Sequence, residues 1–158
     1  MAADMTRMTI HEMLRQARVG LLRLSPTEAH AALDQMGSVL VDIRTSEHRA
    51  RAGRLPNALA ISLNVLEWRL DPDSPSQIDD GPDLDEPVIV ICEQGYSSSL
   101  AAARLQRLGF LRATDVVGGF EAWLSAGLPV VRSSAICANH RGIADMVPGA
   151  ESRSAISR

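Results

Sequence analysis

The sequence predicts an α/β fold: a mostly parallel sheet of about five strands, flanked by helices on both faces. Short apolar runs rich in β-branched residues are typical of strands that are buried on both sides. These runs alternate with segments of helical spacing, which indicates βαβ units with right-handed crossovers. The predicted strands are 39–43, 60–63, 87–91 and 113–117, and 21–24 is a further candidate.

The composition sets limits on the class of protein. A length of 158 residues suits one domain, and a hydrophobic content of 46% supports a core. A formal charge of −3 argues against broad nucleic-acid binding. No apolar stretch is long enough to span a bilayer, and the N-terminus lacks the apolar core of a signal peptide. We therefore expect a cytoplasmic protein without a nucleic-acid or membrane partner.

The two ends of the chain differ from its middle. Residues 1–20 are predicted to be an extension, in which 10–18 forms either a short helix or a partly ordered segment. Residues 21–131 form the predicted domain. Residues 132–158 are rich in Ser, Ala, Gly and Arg and are predicted to be a largely mobile extension. Cys137 lies there and is interpreted as an incidental cysteine; the alternative is a second thiol that resolves an oxidised or persulfidated Cys92.

Local signals place several helices. Ser25 as cap, Pro26 at the first position and Glu28 three residues on predict a helix start. Residues 46–51 predict a short basic helix or turn, and 120–126 a closing helix in which Trp123 packs on the sheet.

Only two cysteines are present, and a reducing compartment would keep Cys92 free. No second Cys or His stands at ligand spacing from His48, which is interpreted as a surface residue, and no metal site is predicted.

The chain is organised around Cys92, which follows the apolar run 87–91 and precedes a segment rich in helix formers. The cysteine is therefore predicted at the carboxyl end of a strand, where α/β sheets bind ligands. Unpaired N–H groups and the helix dipole favour a thiolate there, with a pKa below the usual value of about 8.5. Gly95 allows the turn to direct successive N–H groups inward.

The hydroxyl groups after Gly95 complete the predicted cradle. Ser97 and Ser98 are expected to cap the helix and to donate hydrogen bonds to the sulfur. The alternative is a buried structural cysteine, since free cysteines are commonly buried. The candidate loop residues are Glu93, Gln94, Gly95, Tyr96, Ser97 and Ser98.

The motif Cys92-x-x-Gly95 after an apolar strand resembles the active-site loop of rhodanese-like sulfurtransferases. The resemblance extends, in the same order, to residues 40–44, 53–58, 118–123 and 127–130, and covers roughly 21–131. It implies a single rhodanese-like domain. It also implies transfer of a sulfane sulfur from a donor such as thiosulfate to Cys92, and then to cyanide or a thiol acceptor. No metal or organic cofactor is needed for that chemistry.

The resemblance also suggests supporting residues. The pair Asp42 and Arg44 is implied to order the loops around the site, and this structural interpretation is favoured over direct attraction of an anionic substrate by Arg44. Arg54 stands where the family usually has a histidine. Asn57 stands where glycine is usual, and asparagine tolerates a left-handed backbone.

Two departures from the family pattern bear on the sulfur donor. Many members carry arginine at the position of Ser97, so this loop lacks its own cation, and Glu93 adds a negative charge. The site should attract thiosulfate weakly unless Arg44 or Arg54 compensates. We therefore hypothesise that the donor is a persulfide on a partner protein, for which thiosulfate is a poor surrogate.

Two alternatives to sulfur transfer are phosphatase or arsenate chemistry and a non-enzymatic role. A related fold performs phosphatase or arsenate chemistry with a Cys-x5-Arg loop, whose arginine clamps an oxyanion. The corresponding residue here is Ser98, which argues strongly against that chemistry. The other alternative is a non-enzymatic sulfur-carrier, interaction or redox-sensing module.

Overall fold

The computed structural model describes residues 7–133 of the chain. The expectations for 134–158, including those for Cys137, lie outside the described residues, as do residues 1–6. The strands are β1 (Val39–Asp42), β2 (Leu59–Ala60), β3 (Val88–Ile91) and β4 (Thr114–Asp115). The helices are α1 (Ile10–Val19), α2 (Pro26–Gln35), α3 (Ser46–Ala52), α4 (Leu66–Leu70), α5 (Ser97–Leu108) and α6 (Gly119–Ser125), and a short 3-10 helix covers Leu63–Val65.

The four strands are all parallel and lie in the order β2-β1-β3-β4. The predicted fifth strand is not confirmed. Of residues 21–24, Leu24 alone forms a single parallel bridge, with Val116 beside β4. The physical reason is local: Ser25 follows at once as the cap of α2, and Pro26 has no N–H to continue a ladder.

The side chains of β3 alternate between two apolar clusters, one on each face of the sheet. Val88, Val90 and Cys92 join the cluster with α4 and α5. Ile89 and Ile91 join the cluster that includes Phe120 and Trp123 of α6 and Ala29 of α2. Burial of each large aliphatic side chain contributes about 1.5–3 kcal/mol. The sheet is therefore covered by helices on both faces, and the Cys92 side chain lies on the α5 face.

The caps position the helices near the site. Ser25 Oγ accepts from the Glu28 N–H and the Glu28 carboxylate accepts from the Ser25 N–H, which completes the predicted capping box. The N-terminal segment is helical: Thr9 caps α1, and α1 packs against α5. Trp123 is 1% exposed and donates from Nε1 to the Pro129 carbonyl at 3.1 Å. Within residues 7–133, no helix has the length and apolar character needed to span a membrane.

Candidate active site

Cys92 directly follows β3 and lines an open cavity of about 960 Å³. The residue is only 5% exposed, because β3 is central and α5 starts beside it. The sulfur therefore borders a space that a small molecule can enter, although most of the side chain is buried. The other cavity residues are Ile43, Arg44, Thr45, Ser46, His48, Ser62, Leu63, Asn64, Glu67, Trp68, Glu93, Ser97 and Arg104.

The sulfur of Cys92 is held by groups of the loop and of the first turn of α5. The Gly95 N–H donates to Sγ at 3.1 Å, and the thiol donates to Ser98 Oγ at 3.2 Å. Burial raises the pKa of the Cys92 thiol, but hydrogen bonds from the Ser97 and Ser98 hydroxyls and from the Ser98 and Gly95 amides outweigh it. The pKa of Cys92 is therefore lowered from its ordinary value.

The two serines are the first residues of α5 and do not cap it. The N-cap is Tyr96, whose side chain makes no capping hydrogen bond and is 60% exposed. The capping prediction is wrong because both serines lie inside the helix, and the Ser98 oxygen accepts from the Cys92 thiol. The Ser98 hydroxyl in turn donates to Oδ2 of Asp115 at 2.8 Å. That hydroxyl has one proton, so it donates to Asp115 while the thiol is neutral and must turn from Asp115 to donate to a thiolate.

The first turn of α6 holds the Cys92 loop through backbone hydrogen bonds. The Phe120 N–H donates to the Cys92 carbonyl at 2.8 Å, and the Glu121 N–H donates to the Glu93 carbonyl at 3.0 Å. The exposed Gln94 side chain adds a hydrogen bond to Glu121 at 3.2 Å. The two backbone hydrogen bonds hold the loop backbone without any contribution from its own side chains.

Gly95 makes the close approach of loop and turn possible. Its φ is +81°, and a Cβ there would lie 2.6 Å from the Gly118 nitrogen. Only glycine fits both the left-handed backbone and the narrow gap. The N–H that faces the sulfur therefore depends on the absence of a side chain at this position.

Asp42 and Arg44 form a buried ion pair at the end of β1. Arg44 Nε lies 3.0 Å from Oδ1 and Nη2 lies 2.8 Å from Oδ2, and Nη2 also donates to the Gly53 carbonyl. The guanidinium carbon lies 3.5 Å from the centroid of the Phe120 ring. These contacts favour the structural interpretation of both residues, because Asp42 neutralises the guanidinium charge.

Glu93 lies beside this pair, at the edge of the cavity. Its Oε2 is 3.9 Å from Arg44 Nη1 and 3.6 Å from His48 Nδ1. Both Oε2 and Nη1 are buried atoms without a hydrogen-bond partner among the described residues. The Glu93 side chain is 32% exposed and lines the cavity, so its carboxylate contributes charge to the site.

Arg54 does not join the residues around Cys92. It is exposed, its backbone bridges to Val131, and it lines a separate cavity of about 270 Å³. Its proposed compensation for the missing loop cation has no contact to support it.

Asn57 adopts a φ of +58°, as its left-handed tolerance predicts. In residues 7–133, no group of three or more His, Cys, Asp or Glu side chains could hold a metal ion.

Sequence reasoning missed three residues that contact the loop or its serines. Arg18 and Arg23 both donate to the Gly95 carbonyl, at 2.9 and 3.0 Å. Asp115 accepts from Arg23, Ser98 and Ser99 and is fully buried. The available signal was Asp115 itself, since a carboxylate in an apolar strand needs a buried partner.

The architecture is that of an α/β protein with a cysteine held in a backbone cradle at the end of a central parallel strand. The family model of the Rhodanese-like domain matches residues 25–126. The chain therefore belongs to the rhodanese-like domain family.

Relatives carry names that describe sulfur transfer. The "Thiosulfate sulfurtransferase GlpE" of Actinobacillus pleuropneumoniae is 35% identical over 107 residues, which cover 68% of this chain and 90% of the relative. The protein of the same name from Vibrio cholerae is 33% identical over 112 residues, which cover 71% of this chain and 96% of the relative.

Solved structures share the fold. The human "Single Domain Sulfurtranferase TSTD1" has a TM-score of 0.57 and 27% identity, and the match covers 65% of this chain and 95% of that protein. A Rhodopseudomonas palustris protein of unknown function, titled a "Possible Tyrosine Phosphatase", has a TM-score of 0.72 and 31% identity, and the match covers 82% of this chain and 98% of that protein.

Proposed function

We propose that the chain is a rhodanese-type sulfurtransferase that carries a sulfane sulfur as a persulfide on Cys92. The observation that carries the proposal is the position of the Cys92 sulfur, which borders an open cavity and accepts the Gly95 N–H at 3.1 Å. The relatives named thiosulfate sulfurtransferases, at 33–35% identity, support the same activity. The lowered pKa of Cys92 supports a thiolate nucleophile.

The proposed reaction has two displacement steps. The Cys92 thiolate attacks the sulfane sulfur of the donor; a new S–S bond forms, and the old bond breaks. With thiosulfate, sulfite leaves with the electron pair, and the negative charge moves to the outer sulfur of the persulfide. An acceptor thiolate or cyanide then attacks that outer sulfur and regenerates the Cys92 thiolate. Neither step consumes a metal or an organic cofactor.

The loop residues are proposed to stabilise negative charge in both steps. The Gly95 N–H and the Ser98 hydroxyl contact the sulfur at 3.1 and 3.2 Å, and Ser97 and the Ser98 N–H also act to lower the pKa of the thiol. Such donors favour the thiolate over the thiol. The Gly95 N–H is already oriented before the reaction, whereas the Ser98 hydroxyl turns from Asp115 toward the thiolate. Asp42 and Arg44 are proposed to hold the β1 end of the cavity in shape rather than to bind substrate.

The charges that line the cavity support a donor other than free thiosulfate. Arg44 is paired with Asp42, and Arg104 is paired with Glu67. Glu93 contributes a carboxylate at the cavity edge. A dianion entering this site meets paired arginines and a negative group. We therefore propose a persulfide on a partner protein as the preferred donor, with a thiol as acceptor.

A phosphatase activity is not proposed for this chain. A Cys-x5-Arg loop needs an arginine at the position of Ser98, and Ser98 is buried and bonded to Cys92 and Asp115. Ser98 has no cationic fork with which to clamp a tetrahedral oxyanion.

Intact-mass measurement after exposure to a sulfur donor tests the proposal. Wild-type protein is expected to gain about 32 Da, one sulfur atom, and to lose it on addition of a thiol or cyanide. Cys92→Ser should abolish the gain, whereas Cys137→Ser should retain it. A wild-type protein that gains no mass from thiosulfate or from a low-molecular-weight persulfide contradicts the proposed function. A low micromolar KM for thiosulfate would contradict the donor preference alone.

A further inference from the structure

We propose that Arg18 and Arg23 are positioning residues for the Cys92 loop and supply, from outside the matched domain, the cationic support that the loop sequence lacks. The inference rests on the proposed function, since it concerns the same sulfur. The family match begins at residue 25, so both arginines precede it. Arg18 lies in the last turn of α1, half-buried against α5, and Arg23 lies in the bridge segment beside β4.

The two guanidinium groups converge on one acceptor. Arg18 Nη2 donates to the Gly95 carbonyl at 2.9 Å, and Arg23 Nη2 donates to the same oxygen at 3.0 Å. Hydrogen bonds from charged donors are about twice as strong as neutral ones. Two like charges at one carbonyl repel each other, and Asp115 offsets this by binding Arg23 through both carboxylate oxygens at 2.8 and 3.1 Å.

The clamped carbonyl belongs to the residue whose N–H contacts the sulfur. Gly95 has a φ of +81° and no side chain, so its backbone groups are all that can hold it in place. Because the peptide bond is planar and trans, fixing the Gly95 carbonyl also directs the Tyr96 N–H away from the two guanidinium groups. The clamp therefore restricts the loop backbone around the amides of the cradle.

The clamp also contributes charge. Arg18, Arg23 and Asp115 together carry one net positive charge next to a loop that contains no lysine or arginine. A positive charge near a thiol stabilises the thiolate and, after transfer, the persulfide anion. Neither Arg18 nor Arg23 is among the residues that line the cavity.

Arg18 is the better position for a test. It also donates from Nε to Ser99 Oγ at 3.1 Å and lies 5.7 Å from the Tyr96 ring centroid. Within residues 7–133 it has no carboxylate partner. Removing Arg23 would instead leave Asp115 buried and unpaired, which is costly for folding. Neutral variants at position 18 therefore probe the loop rather than the core.

The experiment measures the pH dependence of Cys92 alkylation by iodoacetamide, followed by mass analysis of the Cys92 peptide. Arg18→Gln is compared with Arg15→Gln, which removes a charge from the same helix. Among residues 7–133, Arg15 binds only Glu12. Arg18→Gln should raise the midpoint by about 0.5–1 pH unit and slow alkylation below the midpoint about 3- to 10-fold. Arg15→Gln should leave both unchanged.

Two further variants make the result decisive. Arg18→Met keeps the apolar stem against Tyr96 and should shift the midpoint as Arg18→Gln does, so a folding defect in one neutral variant does not decide the outcome. Arg18→Lys keeps the charge and should recover part of the shift. Folded neutral variants with the wild-type midpoint would overturn the proposal, and a lysine variant no different from them would overturn its electrostatic part. Alkylation requires no sulfur transfer, so failure of the proposed function appears separately, as a wild-type protein that forms no persulfide.

Discussion

A methyl group at position 119 should displace the backbone that supports Cys92. In Gly119→Ala, the new Cβ would lie 2.6 Å from the Cys92 carbonyl oxygen, 2.7 Å from the Gly95 nitrogen and 2.8 Å from the Gln94 nitrogen. Real Cβ atoms essentially never approach within 3.0 Å. All three neighbours are backbone atoms of the loop, so the loop itself must move by several tenths of an ångström, about the distance by which the contacts are too short.

The magnitude has two parts. The φ of Gly119 is +61°, where a side chain costs about 1–2 kcal/mol. Displacement of three packed backbone atoms adds about 1–3 kcal/mol, as overpacking does in cores. Catalytic geometry is sensitive to shifts below 1 Å, so kcat/KM should fall at least about 10-fold, or about 1.4 kcal/mol of transition-state stabilisation.

Gly127→Ala is the matched control. Its φ is +69°, but nothing lies within 4 Å of the new Cβ, so it carries the backbone strain without the clash. Urea unfolding should show a loss of about 1–2 kcal/mol for Gly127→Ala and a larger loss for Gly119→Ala. Sulfur transfer to cyanide should remain near wild type in Gly127→Ala only. Equal turnover in the two folded variants would refute the claim that Gly119 supports the loop.

Three further measurements, one on the wild type and two on variants, test the electrostatics of the site. Wild-type Cys92 should be alkylated faster as pH rises and reach a plateau above a midpoint below about 8.5, because its hydrogen bonds lower the pKa of the thiol; a midpoint at or above that value would contradict the cradle. Ser98→Ala should raise that midpoint, while Ser125→Ala, which loses only a bond to a helix carbonyl, should not. Glu93→Gln removes the carboxylate at the cavity edge and should raise kcat/KM for thiosulfate several-fold, with a smaller gain at high salt. An equal gain in Glu47→Gln would show that the effect is not local to the cavity.

The features that follow from neighbouring residues were predictable from the sequence. The start of α2 depends on Ser25, Pro26 and Glu28 alone, and the structure has the predicted capping box. The apolar run of β3 likewise placed Cys92 at a strand end. In each case the determining interactions lie within a few residues, so propensity and pattern contain them.

The features that depend on distant residues were not predictable. Ser98 was predicted to cap the helix, but its hydroxyl donates a hydrogen bond to Asp115, 17 residues further on. Arg23 and Asp115 are 92 residues apart in the sequence, and no local pattern around Arg23 predicts that the two side chains bind each other. The contacts around Gly95 are set by tertiary packing.

The distribution of charge leads to a last prediction, on how thiosulfate kinetics divide between binding and chemistry. The arginines that line the cavity are paired with Asp42 and Glu67, whereas the net positive charge lies at the Gly95 carbonyl, on residues that do not line the cavity. Charge in that position stabilises the thiolate but does little to attract a dianion that enters from the cavity. We expect a high KM for thiosulfate together with a kcat typical of enzymes, about 1 s⁻¹ or more. Steady-state assays over a wide thiosulfate range measure both constants, and a low KM with a low kcat would place the weakness in the chemical step and contradict this assignment of charges.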